Sequence, residues 1–311
     1  MTPYTKMLGG STKKVFYSVV AMQLISEGKL SLDTPIYRTM SDFSWFNKLP
    51  NAKTLTVRSL MRHETGIPRY VFKDSFQKAV LKDVNKVWRP EELLAHVFNE
   101  KPLFDVGKSF AYSDTNYIIL CMLIEKVTGN NLYDEVQRRV LNKADLNQVV
   151  RQTSRHYKNI AQGYNAPNDT FFPGLQFNKQ GKSNYNLQFE WAGGGLVITS
   201  HDLAILGKKI YEGKMFDSSL LKEYFNSVKA IGTGGEWGLG VHIMNTPIGK
   251  IYGHSGFMPG YTTNMVYFPE YKFSICYQMN TTDKKKTPTL RGLLPRISKV
   301  IVNILKENNN E

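Results

Sequence analysis

The stretch Gly9-Gly10-Ser11-Thr12-Lys13-Lys14-Val15-Phe16 sets a hydroxyl and an amine three residues apart at the head of an apolar run. On one helical face such a pair sits about 5–6 Å apart at Cβ. At that distance the amine can take a proton as the hydroxyl attacks a carbonyl. A serine needs a base of this kind, because its hydroxyl is a weak nucleophile at neutral pH. The two glycines ahead of it suit a tight entry that brings backbone close to a substrate.

The spacing alone is degenerate. Ser11/Lys14, Ser26/Lys29, Ser75/Lys78 and Ser219/Lys222 all fit Ser-x-x-Lys, so at least three are accidental. Only Ser11 opens a run, Val15 to Ile25, that is apolar almost all round, which predicts a buried central helix. The N-terminus of such a helix carries partial positive charge and free N–H groups. A plain N-cap at Ser11 is the alternative.

With 311 residues, 41% apolar and 21% charged, the chain fits one large globular domain or two ordinary ones. No apolar run approaches the ~18 residues of a membrane span, and Met1 to Lys6 has no signal-peptide core. The net charge of +14 is scattered, with its densest run at Lys284-Lys285-Lys286, and no nucleic-acid motif accompanies it. Nucleic acid is therefore not expected as a partner, while anionic surfaces or substrates fit the charge. Cys121 and Cys276 lie in apolar runs and read as buried free thiols. No cluster has metal-ligand spacing, so no metal or cofactor is expected.

Along the chain, Gly28 should end the Ser11 helix, and Lys29 to Pro35 reads as a connector. A second helix follows with Thr56 as its N-cap, running to Gly66 before Pro68. His63, near its end, reads as structural. Residues 74–100 are helical in pattern, with a start at Pro90-Glu91-Glu92. A loop around Gly107 leads to a strongly apolar helix, Asn116 to Val127, closed by Gly129; Leu132 to Val140 is amphipathic. Residues 150–190 lack a period and read as loops that could line a cleft. Gly193-Gly194-Gly195 lacks the lysine of a phosphate loop. Ser200 is the expected cap of a helix reaching Glu212. Strands are expected at Gly238 to Met244, Gly249 to Tyr252, Tyr261 to Phe268 and Lys272 to Met279. A closing helix from Leu290 to Lys306 should start late because of Pro295.

Two more stretches complete a constellation: Phe110-Ala111-Tyr112-Ser113-Asp114-Thr115-Asn116-Tyr117, and Ile251-Tyr252-Gly253-His254-Ser255-Gly256-Phe257. With Ser11-Thr12-Lys13-Lys14 they resemble the serine β-lactamase and penicillin-binding-protein superfamily. The branch they resemble holds class C β-lactamases, D-alanyl-D-alanine carboxypeptidases, D-aminopeptidases and esterases. That branch has Ser-x-x-Lys, Tyr-x-Asn, then Lys- or His-x-Gly, in this order. Gly28 to Asp33, Leu60 to Pro68 and Gly193-Gly194-Gly195-Leu196 also fit, so the likeness runs from about Thr2 to Asn280.

The resemblance implies an α/β (α+β) fold: an antiparallel sheet flanked by helices, plus a mainly helical subdomain. Residues 1–35 and 190–311 would form the sheet subdomain and 36–189 the helical one, with the site between them. It implies a serine hydrolase acting on a D-amino-acid peptide, amide or ester, exported to the periplasm or another extracytoplasmic space. Ser11 would form the acyl-enzyme, with Lys14 and Tyr112 activating it. Tyr112 could serve as base only with a lowered pKa, which Lys14 would promote. His254 would polarise Tyr112 or meet a substrate carboxylate. The N–H groups of Ser11 and Phe257 would form the oxyanion hole beside Gly256. The bland alternatives are a packed aromatic at 112 and a cross-strand contact at 254.

Three departures stand out. Asp114 replaces the usual Asn, favouring a charged Lys14 and counting against β-lactam turnover. Lys13 replaces the commoner Thr or Ser, a second cation that could lower the pKa of Lys14. Only ten residues precede Ser11, at most ~35 Å of extended chain, so N-terminal strands of the sheet should be missing and an edge left open. A binding protein that keeps the cleft without turnover, or a carboxylesterase, therefore stand as alternatives to a peptidase or β-lactamase-like enzyme.

Overall fold

Helix α1 (Lys14–Ser26) has no polar stripe, and its side chains from Lys14 to Met22 are all buried. A helix apolar on every side must be surrounded, and the remaining elements are arranged about it. The computed structural model describes residues 1–169, 174–283, 285 and 290–308. Ser11 does not cap α1. It lies in a 3₁₀ turn, Gly10–Lys13, that runs straight into the helix without any side-chain cap. The N-cap alternative for Ser11 is thereby overturned. Gly28, at φ +68°, ends the helix in the left-handed conformation that glycine adopts without strain.

Helix α2 (Val57–Met61) carries the expected cap: Thr56 accepts from the Ser59 N–H at 3.1 Å, and Ser59 returns the bond. It stops five residues before Gly66, because the chain turns at His63, whose φ is +58°. Helix α3 (Asp74–Lys82) and the short helix Pro90–Leu94 follow, the latter with proline at its start. Helix α4 (Asp114–Thr128) begins two residues earlier than its apolar run and packs beside α1, where Ser18 and Tyr117 share a 3.1 Å hydrogen bond. Helix α5 (Ser200–Tyr211) is capped by Thr199, which accepts from the Asp202 N–H at 3.0 Å; Ser200 is already inside the helix. Helix α6 (Leu290–Asn308) runs through Pro295, five residues from its start. At that position, past the first turn, the proline costs the helix one backbone hydrogen bond.

Strands β1 (Met7–Leu8), β2 (Val150–Arg151) and β3 (Leu196–Ile198) form a small antiparallel sheet in the order β1-β3-β2. The main sheet is antiparallel and sequential: β4 (Val228–Lys229), β5 (Glu236–Trp237), β6 (His242–Thr246), β7 (Gly249–Met258), β8 (Tyr261–Phe268) and β9 (Phe273–Met279). Of the strand expected over 238–244 only residues 242–244 are extended, within β6, while β5 ends at Trp237 and β7 extends six residues past Tyr252. Strand alternation sends Met265 toward Gly207 of α5, while Val266 and Phe268 pack with Leu294 of α6. The two helices thus cover opposite faces. Among the described residues no strand pairs with the outer edge of β9.

One register detail places the site. β6 pairs with β7 only from Gly249 to Gly253, whereas β8 pairs with β7 as far as Met258. The segment His254 to Met258 therefore has one edge without a strand partner, and the Gly9–Ser11 turn sits against it. The described residues between 150 and 190 are mostly irregular, as expected, and 170–173 lie outside the described residues. Cys121 is buried and Cys276 only partly so; both are free thiols. Of the basic run, Lys284 and Lys286 lie outside the described residues. No described helix is long and apolar enough to cross a membrane. Thr56→Ala should lower the unfolding free energy by about 1 kcal/mol, read as a lower urea midpoint at unchanged m-value.

Candidate active site

Ser11 and Lys14 lie at the junction of the 3₁₀ turn with α1, one turn apart, so their side chains meet: Lys14 Nζ donates to Ser11 Oγ at 3.0 Å. Lys14 is fully buried and also donates to Asp114 Oδ1 at 2.7 Å and to the Gly193 carbonyl at 2.6 Å. Three acceptors match the three hydrogens of an ammonium group. Burial alone would push its pKa down, but the charges of Asp114, Tyr112 and Glu190 outweigh that and raise it. Asp114 is the first residue of α4, where the helix dipole favours an anion. Its other oxygen accepts from Arg69 Nε at 2.9 Å and Nη2 at 2.6 Å. Burial opposes ionisation of Asp114, yet the two cations hold its carboxyl well below the usual carboxylate range.

Lys13 behaves differently from the expectation of a second cation. It is fully buried on the other side of the turn, 3.4 Å from the Gly194 carbonyl, and burial pushes its pKa well down despite Glu190. Burial thus weakens the charge that Lys13 could bring to bear on Lys14. The carbonyls of Gly193 and Gly194 thus serve as acceptors for the two lysines, and at Gly194 a side chain would be crowded. A Cβ on Gly194 would lie 2.6 Å from Glu190 Oε2 and 3.0 Å from the Gly10 carbonyl. The Glu190 carboxyl is itself pushed up to about 7, by burial first and then by Asp114.

Tyr112 lies just ahead of α4. Its ring stacks 4.2 Å from that of His63 and meets Trp237 edge-on at 5.3 Å. His63 is held by the Ser113 N–H, which donates to its Nδ1 at 3.2 Å. The structural reading of His63 holds, though its structural task is to seat Tyr112. Lys14 Nζ is 5.3 Å from the centre of the Tyr112 ring. The phenol hydroxyl is buried without a hydrogen bond of ordinary geometry, although the nearby Ser11 hydroxyl slightly favours its anion. The expected fall in its pKa does not occur: burial raises it, and Lys14 offsets only part of that.

His254 is buried on β7, edge-on to Tyr112 at 6.3 Å and to Trp237 at 5.2 Å. Its Nδ1 is 2.6 Å from the Ser255 carbonyl. A carbonyl only accepts, so Nδ1 carries the hydrogen and Nε2 of the neutral ring is an acceptor. Burial, then Lys14, pushes the His254 pKa down to about 3. A neutral ring does not attract a carboxylate as a cation would. Nε2 and the Tyr112 hydroxyl are both buried and unpartnered, one an acceptor and the other a donor. Gly256 and Phe257 lie against the serine turn. A Cβ on Gly256 would be 2.0 Å from the Gly9 carbonyl oxygen and 3.2 Å from the Ser11 nitrogen. The Phe257 backbone nitrogen lies 2.7 Å from where a Gly10 Cβ would sit, while its ring is exposed. All seven sequence-derived residues thus converge, with Arg69, Glu190 and His63 as unforeseen companions. Arg69 directly follows the Leu60 to Pro68 motif, and His63 lies inside it.

The Beta-lactamase family profile matches residues 1–294. The chain belongs to the beta-lactamase family. It is 24% identical over 285 residues to penicillin-binding protein 4* of Bacillus subtilis, covering 87% of this chain and 59% of that protein. It is 25% identical over 224 residues to the teichoic acid D-alanine hydrolase of Staphylococcus aureus, covering 70% and 49%. The chain thus spans about half the length of these curated relatives. The D-stereospecific amidohydrolase from Streptomyces sp. shares the fold, with a TM-score of 0.79 at 24% identity, covering 89% of this chain and 82% of that one. Among the described residues no group of His, Cys, Asp and Glu could hold a metal ion.

A hydroxyl held by an ammonium ion, next to a buried phenol and an unpaired strand edge, is equipped for acyl transfer. Gly256→Ala tests the strand contact. The added methyl must push β7 off the serine turn by an ångström or more. Labelling of Ser11 by a fluorophosphonate should slow by about 100-fold, while far-UV circular dichroism stays unchanged.

Proposed function

We propose that the protein is a serine hydrolase that forms an acyl-enzyme through Ser11 on a D-amino-acid peptide, amide or ester. The observation that carries this reading is the 3.0 Å contact between Lys14 Nζ and Ser11 Oγ, within a chain of the beta-lactamase family. One relative is by name a teichoic acid D-alanine hydrolase and one fold neighbour a D-stereospecific amidohydrolase, and both names favour D-configured substrates. An extracytoplasmic location belongs to the same reading, carried by the family resemblance alone. So does the division into residues 1–35 with 190–311 against 36–189, which the contact of Lys14 with Asp114 supports.

In this reading Ser11 Oγ attacks the substrate carbonyl while the N–H groups of Ser11 and Phe257 receive the developing oxyanion. Lys14, with all three hydrogens engaged, orients Ser11 and stabilises negative charge on it. The Ser11 proton passes to the Tyr112 phenolate and then to the leaving group as the scissile bond breaks. Water attacks the acyl carbon in turn, gives its proton to Tyr112, and Ser11 recovers it as the product acid leaves. His254 Nε2, a buried acceptor without a partner, is the group that would take a hydrogen bond from the phenol as the site engages substrate. Both Lys14 and Tyr112 have raised pKa values, so the base form is scarce at neutral pH. The kcat/KM of a short-chain nitrophenyl ester should therefore climb steadily from pH 7 into the alkaline range. Asp114 raises both groups, so Asp114→Asn should move that rising limb to lower pH. An unmoved limb would remove Tyr112 from the proton path.

The second reading, a binding protein that keeps the cleft without turnover, is favoured by that same scarcity of free base. A panel of a chromogenic cephalosporin, a D-Ala-D-Ala peptide and a nitrophenyl ester separates the two. Multiple turnovers of any one, lost in Ser11→Ala, establish the hydrolase. Stoichiometric acylation without turnover establishes the binding protein.

A further inference from the structure

Arg69 is absent from the proton path, yet its head lies at the mouth of the site. Its Nε and Nη2 both go to a single oxygen of Asp114. Nη1 makes no hydrogen bond among the described residues. The Arg69 side chain is 32% exposed where Asp114 is 6% exposed, so the pair is buried at one end and open at the other. The guanidinium lies 4.2 Å from the centre of the Phe72 ring and 5.1 Å from that of Tyr112. Phe72 is itself largely exposed. Two aromatic rings and one carboxylate thus fix the plane of the guanidinium, and an edge remains available. An arginine held in this way has lost its rotamer freedom before any ligand arrives, and its planar fork suits a carboxylate or phosphate.

The charge around it points the same way. Lys14 and Arg69 are cations served by one buried carboxylate, Asp114. Lys13, His63 and His254 are pushed toward neutrality by burial. Glu190, the other acid nearby, is held only partly ionised near neutral pH. The site therefore carries surplus positive charge, in a chain of net charge +14. From Arg69 to Ser11 Oγ the path is three hydrogen bonds and one carboxylate, at most about 11 Å, the span of one or two amino-acid residues.

We propose that Arg69 is a specificity-determining residue that binds an anionic group of the substrate, a carboxylate or a phosphate, through its open Nη1 edge beside Tyr112 and Phe72. This deepens the hydrolase reading and rests on it for the word substrate; the anion site itself is tested without turnover. In Ser11→Ala, which cannot acylate, calorimetry compares N-acetyl-D-alanine with N-acetyl-D-alaninamide, and glycerol phosphate with glycerol. At least one anion should bind about tenfold or more tightly than its neutral partner, the scale of one charged hydrogen bond. That preference should weaken with added salt. In Ser11→Ala/Arg69→Gln the ratio should fall to near one, and in Ser11→Ala/Arg69→Lys to an intermediate value. Melting curves of each variant check that it is folded. A ratio near one in Ser11→Ala, or one that survives Arg69→Gln in folded protein, overturns the proposal. If Arg69→Gln does not fold, the Lys variant decides: an undiminished ratio there also overturns it. Failure of the hydrolase reading is a separate result, the absence of Ser11-dependent turnover.

Discussion

A buried ammonium ion is costly unless it is fully paired, and that cost organises this protein. Lys14 has no exposure to water, and its three hydrogens go to three separate parts of the chain: the serine turn, the start of α4, and the Gly193 carbonyl. Each partner is therefore held at hydrogen-bond distance from the same nitrogen. Asp114 is the necessary counter-ion, and its own burial is tolerable because Arg69 shares it. Removing Asp114 would leave Lys14 buried without its counter-ion. The linkage ties α1 to α4, and it aims Ser11 by an interaction that does not depend on a flexible side chain finding its place.

Backbone proximity is the second constraint. The serine turn is wedged between the end of β7 and the glycine turn ahead of β3, with room for hydrogens but not for methyl groups. Glycine at 9, 10, 194 and 256 is a packing requirement there. The early end of β6 pairing at Gly253 leaves the next residues of β7 with an edge facing Ser11. A strand edge supplies unpaired N–H groups, which elsewhere is a liability and here lies over a reactive hydroxyl.

The third element is an aromatic wall of His63, Tyr112, Trp237 and His254. It excludes water, which raises the pKa of the phenol and lowers those of both imidazoles. The neighbouring charges, read pairwise, give the opposite sign for Tyr112. Desolvation is a many-body quantity set by everything around the group, so adjacency in a motif could not supply it.

The sequence carried the fold class, the buried α1, the sequential antiparallel strands and the seven residues that the fold brings together, because motif order and apolar periodicity are local properties. It also marked true ends at Gly28 and Gly129, where a left-handed residue closes a helix. It misplaced the cap at Ser200 and the end of α2, where neighbouring residues offered equivalent signals and packing chose between them. Only the tertiary structure decided that Lys13 is held toward neutrality while Lys14 is charged. The two residues are adjacent and chemically identical, but α1 turns one toward Asp114 and the other toward the glycine turn. Only the tertiary structure, too, joined Arg69 to Asp114 across 45 residues of chain, because the cost of burying a charge is settled by what the fold brings beside it.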